Sequence, residues 1–135
     1  MSDAALRAAL VAVGDELLSG ATTDTNSSWL ARELARLGIP VESVEVVGDD
    51  ERALAEAIER ARARAGLVTV TGGLGPTLDD VTRHGVARAV GRELVEDEAT
   101  VTALRAWFEH RKVAMSATNR RQALFPQSRS RLRLG

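Results

Sequence analysis

The sequence contains no cysteine. Disulfide staples, zinc–thiolate centres and thiol nucleophiles are therefore excluded. Aromatic residues make up only 3% of the chain and tyrosine is absent. The core is expected to be built from Ala, Val and Leu rather than stacked rings, with Trp29 and Trp107 assigned to it. Lysine occurs once, at Lys112, which leaves none for a Walker-type phosphate loop. A formal net charge of -1 offers no broad basic face for nucleic acid or an anionic membrane, so neither is expected as a partner. The one early apolar run, residues 8–13, is cut off by Gly14-Asp15-Glu16. It is too short and too soon acidic for a signal peptide or a membrane span, and the expected location is cytoplasmic.

What is present suits one soluble domain. The 135 residues are 44% apolar and 27% charged, enough to bury a core without staples. Residues 8–13 read as a buried strand, and a helix follows from Asp24 or Thr25 to about Leu37, with Leu30, Leu34 and Leu37 on one face. Pro40 to Val47 alternates as a second strand through Val41, Val44 and Val46. A helix from about Glu51 to Ala65, a strand from Leu67 to Thr71, and a helix from Asp79 or Asp80 to Gly91 come next. Glu98 to about Lys112 is a fourth helix with Val101, Leu104, Trp107 and Phe108 facing the core, and residues 116–123 form a short fifth. The tail 127–135 alternates arginine with other residues, as a strand start or a frayed end would. Alternating strands and helices predict an α/β fold, a mainly parallel sheet covered on both faces in three α/β/α layers.

In such sheets ligands bind beyond the carboxyl ends of the strands. Those ends carry most of the chemistry in this sequence. The first strand ends at Asp15-Glu16 and the second at Gly48-Asp49-Asp50. The third ends at Thr71, followed by Gly72-Gly73-Leu74-Gly75-Pro76-Thr77 and then Asp79-Asp80. A strand running into a glycine turn presents unhindered backbone N–H groups suited to phosphate. Acids at the same edge suit a divalent metal bridging to that phosphate. Taken singly, Asp50 and Asp79 read first as helix N-caps, Asp15 and Glu16 as turn residues, and the glycines as turn geometry. Taken together, crowded carboxylates repel, and a cation relieves them. The loop is not a Walker loop, for want of Gly-Lys-Ser/Thr, nor a dinucleotide fingerprint, for want of a third glycine opening the helix. His84 and His110 lack metal spacing and read as ordinary helix residues, while Arg60, Arg62 and Arg64 read as a solvated face.

The run from Thr71 through Thr82, together with Gly14 to Gly20, Asp24 to Ser27, Val47 to Asp50, and Met115, Asn119, Gln122, Ala123 and Pro126, resembles the CinA-like proteins. These lie within the molybdopterin-binding group that includes MoaB and MogA. The resemblance implies a three-layer domain that binds a phosphorylated nucleotide or pterin. It implies Asp49 and Asp80 as metal ligands and catalytic acids, with a magnesium-like divalent ion as cofactor. It places Thr71, Gly72, Gly73, Gly75, Pro76 and Thr77 in the phosphate loop, and Asp15, Glu16 and Asn26 on the opposite wall. Asp79 or Asp15 is the expected base, a choice the sequence leaves open. The implied activity is hydrolysis of ADP-ribose-type pyrophosphates; the alternative is molybdopterin binding without hydrolysis in cofactor biosynthesis. A homo-oligomer is also implied. Members of this group continue past Pro126 into a further strand and two glycine- and proline-rich loops, so residues 1–135 are expected to form one domain incomplete at its C-terminal end.

Overall fold

A computed structural model describes residues 5–127. Its centre is β1 (Ala8–Val13), which pairs in parallel with β2 (Val41–Val47) on one side and β3 (Leu67–Thr71) on the other. All six residues of β1 are buried, the pattern of a strand covered on both faces. Helix α2 (Thr25–Arg36) covers one face, where Ala8 and Leu10 pack with Leu34, Leu30 and Ile39. Helices α3 (Glu51–Arg64) and α4 (Thr82–Val90) cover the other, packing Leu54, Ala57, Ile58 and Ala89 on Ala9, Val11 and Val13. These are the expected three α/β/α layers. A single turn, α1 (Asp15–Leu18), links β1 to the loop before α2. After α4 come β4 (Leu94–Glu96), α5 (Glu98–His110), a 3-10 turn over Asn119–Ala123, and β5 (Leu124–Pro126).

Helix starts follow the capping chemistry. Asp24, Asp50 and Asp97 each accept a bond from the N–H three residues on, Ser27, Ala53 and Thr100 respectively, satisfying one of the donors that every helix leaves open. Asp50 is thus a helix cap. Among the described residues no helix is long and apolar enough to cross a membrane.

Several expectations give way. The helix after the glycine turn starts at Thr82 rather than at Asp79 or Asp80, because Asp80 spends its carboxylate inside the turn. The 116–123 helix is only the 3-10 turn over Asn119–Ala123. β4 and β5 form an antiparallel pair that was not expected, since three residues per strand are too few to show a period. Leu37 caps α2 and is 74% exposed, and the tryptophans are not core: Trp29 is 56% and Trp107 49% exposed. Trp107 lies instead between an edge-on Phe108 and the Arg111 guanidinium, an arrangement that stabilises a wet aromatic ring. β2 does not keep its alternation. Its register against β1 shifts between Ala8 and Ala9, so Val41 packs on the α2 side, Val47 packs on the α3 side and Val44 is exposed. One extra residue flips every side chain after it to the other face. Arg62 is not merely solvated, since its Nη1 donates to the Ala89 carbonyl; Arg60 pairs with Glu45. The alternation over 128–135 lies outside the described residues.

Candidate functional site

Because the three strands are parallel, their carboxyl ends share one edge of the sheet. The Gly14 N–H donates to the Val47 carbonyl across that edge. Just beyond it, Asp15 and Asp49 bind each other reciprocally. The Asp49 N–H donates to Asp15 Oδ1 at 2.9 Å, and the Asp15 N–H donates to Asp49 Oδ2 at 3.3 Å. Gly48 makes room for this pair, since a Cβ there would lie 2.5 Å from Asp15 Oδ1. Burial raises the pKa of Asp49 above the ordinary aspartate value, against the Asp15 N–H bond, and repulsion from Asp15, Glu16 and Asp79 raises it further. The structure therefore brings Asp15, Glu16, Asp49 and Asp79 into one electrostatic group. Asn26 lies exposed in the first turn of α2.

Asp80 is separate from that group. Its Oδ2 accepts from the Thr77 hydroxyl at 2.7 Å and from the Thr77 N–H at 2.9 Å, with a further backbone bond from Gly75. These bonds, the Thr77 hydroxyl first, hold its pKa below the ordinary value despite some burial, and the Arg83 charge adds to the effect. Thr77 and the Gly75 N–H are thus engaged within the turn by an internal anion.

The rest of the glycine turn is held by two residues that the sequence did not single out. The Thr82 hydroxyl donates to the Gly72 carbonyl at 2.7 Å, and the Thr82 N–H donates to the Gly73 carbonyl at 3.3 Å. Arg83 donates to the next two carbonyls, Nη2 to Leu74 at 2.6 Å and Nη1 to Gly75 at 3.3 Å. Four consecutive carbonyls are therefore drawn toward the start of α4. In a planar trans peptide the N–H points opposite its carbonyl, so the N–H groups of Gly73, Leu74 and Gly75 are turned the other way. The fourth peptide has no N–H because it ends in Pro76. With Gly75 committed to Asp80, Gly73 and Leu74 are the donors with no acceptor among the described residues. The signal for this frame was Thr82-Arg83, one residue beyond the acidic pair.

For a metal ion the fit is partial. Among the described residues no group of three or more His, Asp or Glu is arranged to hold one, and the expected pair, Asp49 and Asp80, has different surroundings. The edge does supply one or two carboxylates under mutual repulsion. Magnesium commonly takes that number from a protein when waters and substrate phosphates complete its shell.

The opposite shifts of the two aspartates predict opposite stability effects. Asp49 holds its proton more tightly folded than unfolded, so its ionised form at neutral pH costs stability. Asp49→Asn is expected to melt higher than the native protein at pH 7, with the gain closing as pH falls toward the ordinary value of 3.8. Asp80 is the reverse: its ionised form stabilises the fold above that value, and this is lost as pH falls through its lowered pKa. Asp80→Asn is expected to melt lower at pH 7, with the deficit closing in acid. Thermal melts of both variants from pH 3 to pH 7 read this, and shifts of the same sign would contradict it.

Residues 9–129 match the sequence family described as "probable molybdopterin binding domain". The chain belongs to this molybdopterin-binding family. Within it, the chain is 46% identical over 121 residues to a "putative competence-damage inducible protein" of Lactiplantibacillus plantarum, covering 90% of this chain and 29% of that protein. A protein of the same name from a Geobacillus species is 45% identical over 122 residues, with the same coverage. The chain thus spans about 29% of the length of these curated relatives. Among solved structures, CinA of Thermoplasma acidophilum, described as of unknown function, is 34% identical with a TM-score of 0.78, over 90% of this chain and 71% of that one. MoaB of Thermus thermophilus is 22% identical with a TM-score of 0.59, over 85% of this chain and 71% of that one, a likeness of fold. The CinA-like, molybdopterin-binding character expected from the motifs is therefore shown.

Proposed function

We propose that this molybdopterin-binding domain takes the pyrophosphate of a nucleotide such as ADP-ribose at its carboxyl edge and hydrolyses it with a divalent metal. The observation that carries the reading is the facing arrangement of the turn: its carbonyls tied back by Thr82 and Arg83, its Gly73 and Leu74 N–H groups left for an anion. Backbone donors fixed before the ligand arrives stabilise developing charge without reorganising. A metal bound there would neutralise the pyrophosphate and polarise its phosphoryl oxygens; Asp49, with Asp15 or Asp79 beside it, is the carboxylate to hold it. Asp15 or Asp79, whichever does not hold the metal, is the carboxylate left to accept a proton from an attacking water. Asp80 is the internal staple of the loop in this reading rather than a ligand to the metal.

The test is calorimetric titration of ADP-ribose and of ATP with magnesium into the 135-residue chain, with AMP release followed in parallel. Binding and turnover are expected, with Asp49→Asn lowering turnover about a hundredfold, the scale of losing part of the charge stabilisation a bound metal supplies. Binding of neither nucleotide would sink the proposal. The family description favours a second reading, a pterin phosphate held in the same cradle without hydrolysis. Nucleotide binding without AMP release, and with tighter pterin binding, is the outcome that selects it.

A further inference from the structure

We propose that Arg83 is a positioning residue for the anion cradle: its guanidinium, spanning the Leu74 and Gly75 carbonyls and the Gln122 carbonyl, sets the direction in which the turn's free N–H groups point. The inference rests on the reading of the turn as a phosphate cradle and adds what maintains it. Arg83 is half-buried, and its Nη2 reaches both Leu74 at 2.6 Å and Gln122 at 3.4 Å. Its Nε–H is buried and meets no acceptor among the described residues. An orphan buried donor is costly, so the side chain's placement is decided by the three carbonyls rather than by its own full satisfaction.

The three carbonyls belong to two parts of the fold. Leu74 and Gly75 are in the turn after β3, whereas Gln122 is in the 3-10 turn that leads into β5. One guanidinium therefore fixes the cradle against the β4–β5 pair, and the planar fork suits it. Two nitrogens held in one plane address adjacent carbonyls at once, a geometry that a lysine ammonium on its flexible stem does not impose. Thr82 holds Gly72 and Gly73, closer to the strand, where Val13 already limits movement. At Leu74 and Gly75, Asp80 holds one side of the chain through the Gly75 N–H, and Arg83 holds the other through both carbonyls.

Amide hydrogen exchange on the ligand-free chain tests this without reference to any ligand. Arg83→Met keeps the length of the side chain and removes the donors. Exchange at Gly75, Thr77 and Thr82, the hydrogen-bonded amides of the turn, is expected to rise about tenfold or more, the scale of losing a hydrogen bond from a charged group. The amides of β1 and α3 are expected to stay as they are. Arg83→Lys is expected to recover part of the protection and part of the affinity for magnesium ADP-ribose, which Arg83→Met lowers about tenfold. Local exchange rising while the native chain binds no nucleotide would support the positioning role and overturn the phosphate reading beneath it. Exchange unchanged at residues 75, 77 and 82, or rising equally through β1 and α3, would overturn the positioning role itself. Should Arg83→Met not fold, Arg83→Lys carries the same test by the same amides, with a smaller local rise expected and no difference from native as the contrary result.

Discussion

Gly72→Ala is expected to destabilise the protein by about 3 kcal/mol or more, among the larger effects of a single methyl group. Two costs add at this position. Gly72 sits at φ +87, where an alanine pays for the approach of its Cβ to the following carbonyl. A Cβ there would also overlap the Val13 carbonyl oxygen, with Val13 C at 3.3 Å and Val13 N at 3.5 Å. These are backbone atoms of the central strand, and Val13 is only 2% exposed, so β1 has no room to yield. Gly91 separates the two costs. It has φ +62 at the end of α4 and open space within 4 Å of its Cβ position, so Gly91→Ala should cost only about 1 kcal/mol. In melting temperature, the Gly72 variant should fall by roughly 10 °C or more and the Gly91 variant by a few degrees, at the usual ratio for this size. Equal losses would show that only the dihedral matters and that the turn is not pressed against β1.

The Gly72 contact bears on function because it decides where the cradle begins. β3 hands the chain over at Thr71, and Gly72 turns it across the end of β1, close to the Val13 carbonyl. The next carbonyls then fall within reach of Thr82 and Arg83. A methyl group at Gly72 is thus expected to weaken ligand binding even under conditions in which the variant is folded.

Much of this was legible in the sequence where one local rule acted alone. Residues 8–13 read as a buried strand because both faces demand apolar residues, and α3 read from Leu54, Ala57, Ile58, Ala61 and Ala65 at helical spacing, the first four buried and Ala65 half-buried at its end. The sheet edge was legible as well, since parallel strands place their ends together whatever their order. Legibility failed where two rules competed. Asp80 ranks high as a helix cap, but its carboxylate is taken by Thr77 and Gly75 first, and the helix starts two residues later. This is the usual contest between side-chain–backbone bonds and helix. The bulge opposite Ala8 left no composition signal, so the alternation through Val44 was misleading. Thr82 and Arg83 act on backbone carbonyls, which have no residue identity, so no motif of paired side chains pointed to them. Trp29 and Trp107 were read as core rather than as ligand stackers, yet large exposed apolar residues are ordinary on a surface.

Leu54→Ala should cost about 3 kcal/mol, within the range for a buried leucine whose cavity does not close, and its pairing with Gly85 makes the figure testable by a cycle. Leu54 is 0% exposed on α3, and Gly85 is buried in the α4 turn packed against it. A Cβ at Gly85 would lie 2.6 Å from Leu54 Cδ2, 2.8 Å from Cγ and 3.1 Å from Cβ. Helix propensity alone would favour Gly85→Ala by about 1 kcal/mol. The contacts oppose this, because the Leu54 side chain is enclosed and its Cγ cannot rotate clear of all three clashes. A net loss of about 1–2 kcal/mol is expected, as for overpacking elsewhere. In the double variant Cγ and Cδ2 are gone, leaving the 3.1 Å approach to Cβ, and the new methyl group fills part of the cavity. The two losses should therefore not add, with a favourable coupling of about 2 kcal/mol in urea denaturation. Coupling near zero would mean that α3 and α4 simply move apart to admit the methyl group. That result would reach the site as well, since α4 opens with Thr82 and Arg83, and a helix free to move away from Leu54 could not hold four carbonyls of the glycine turn in place.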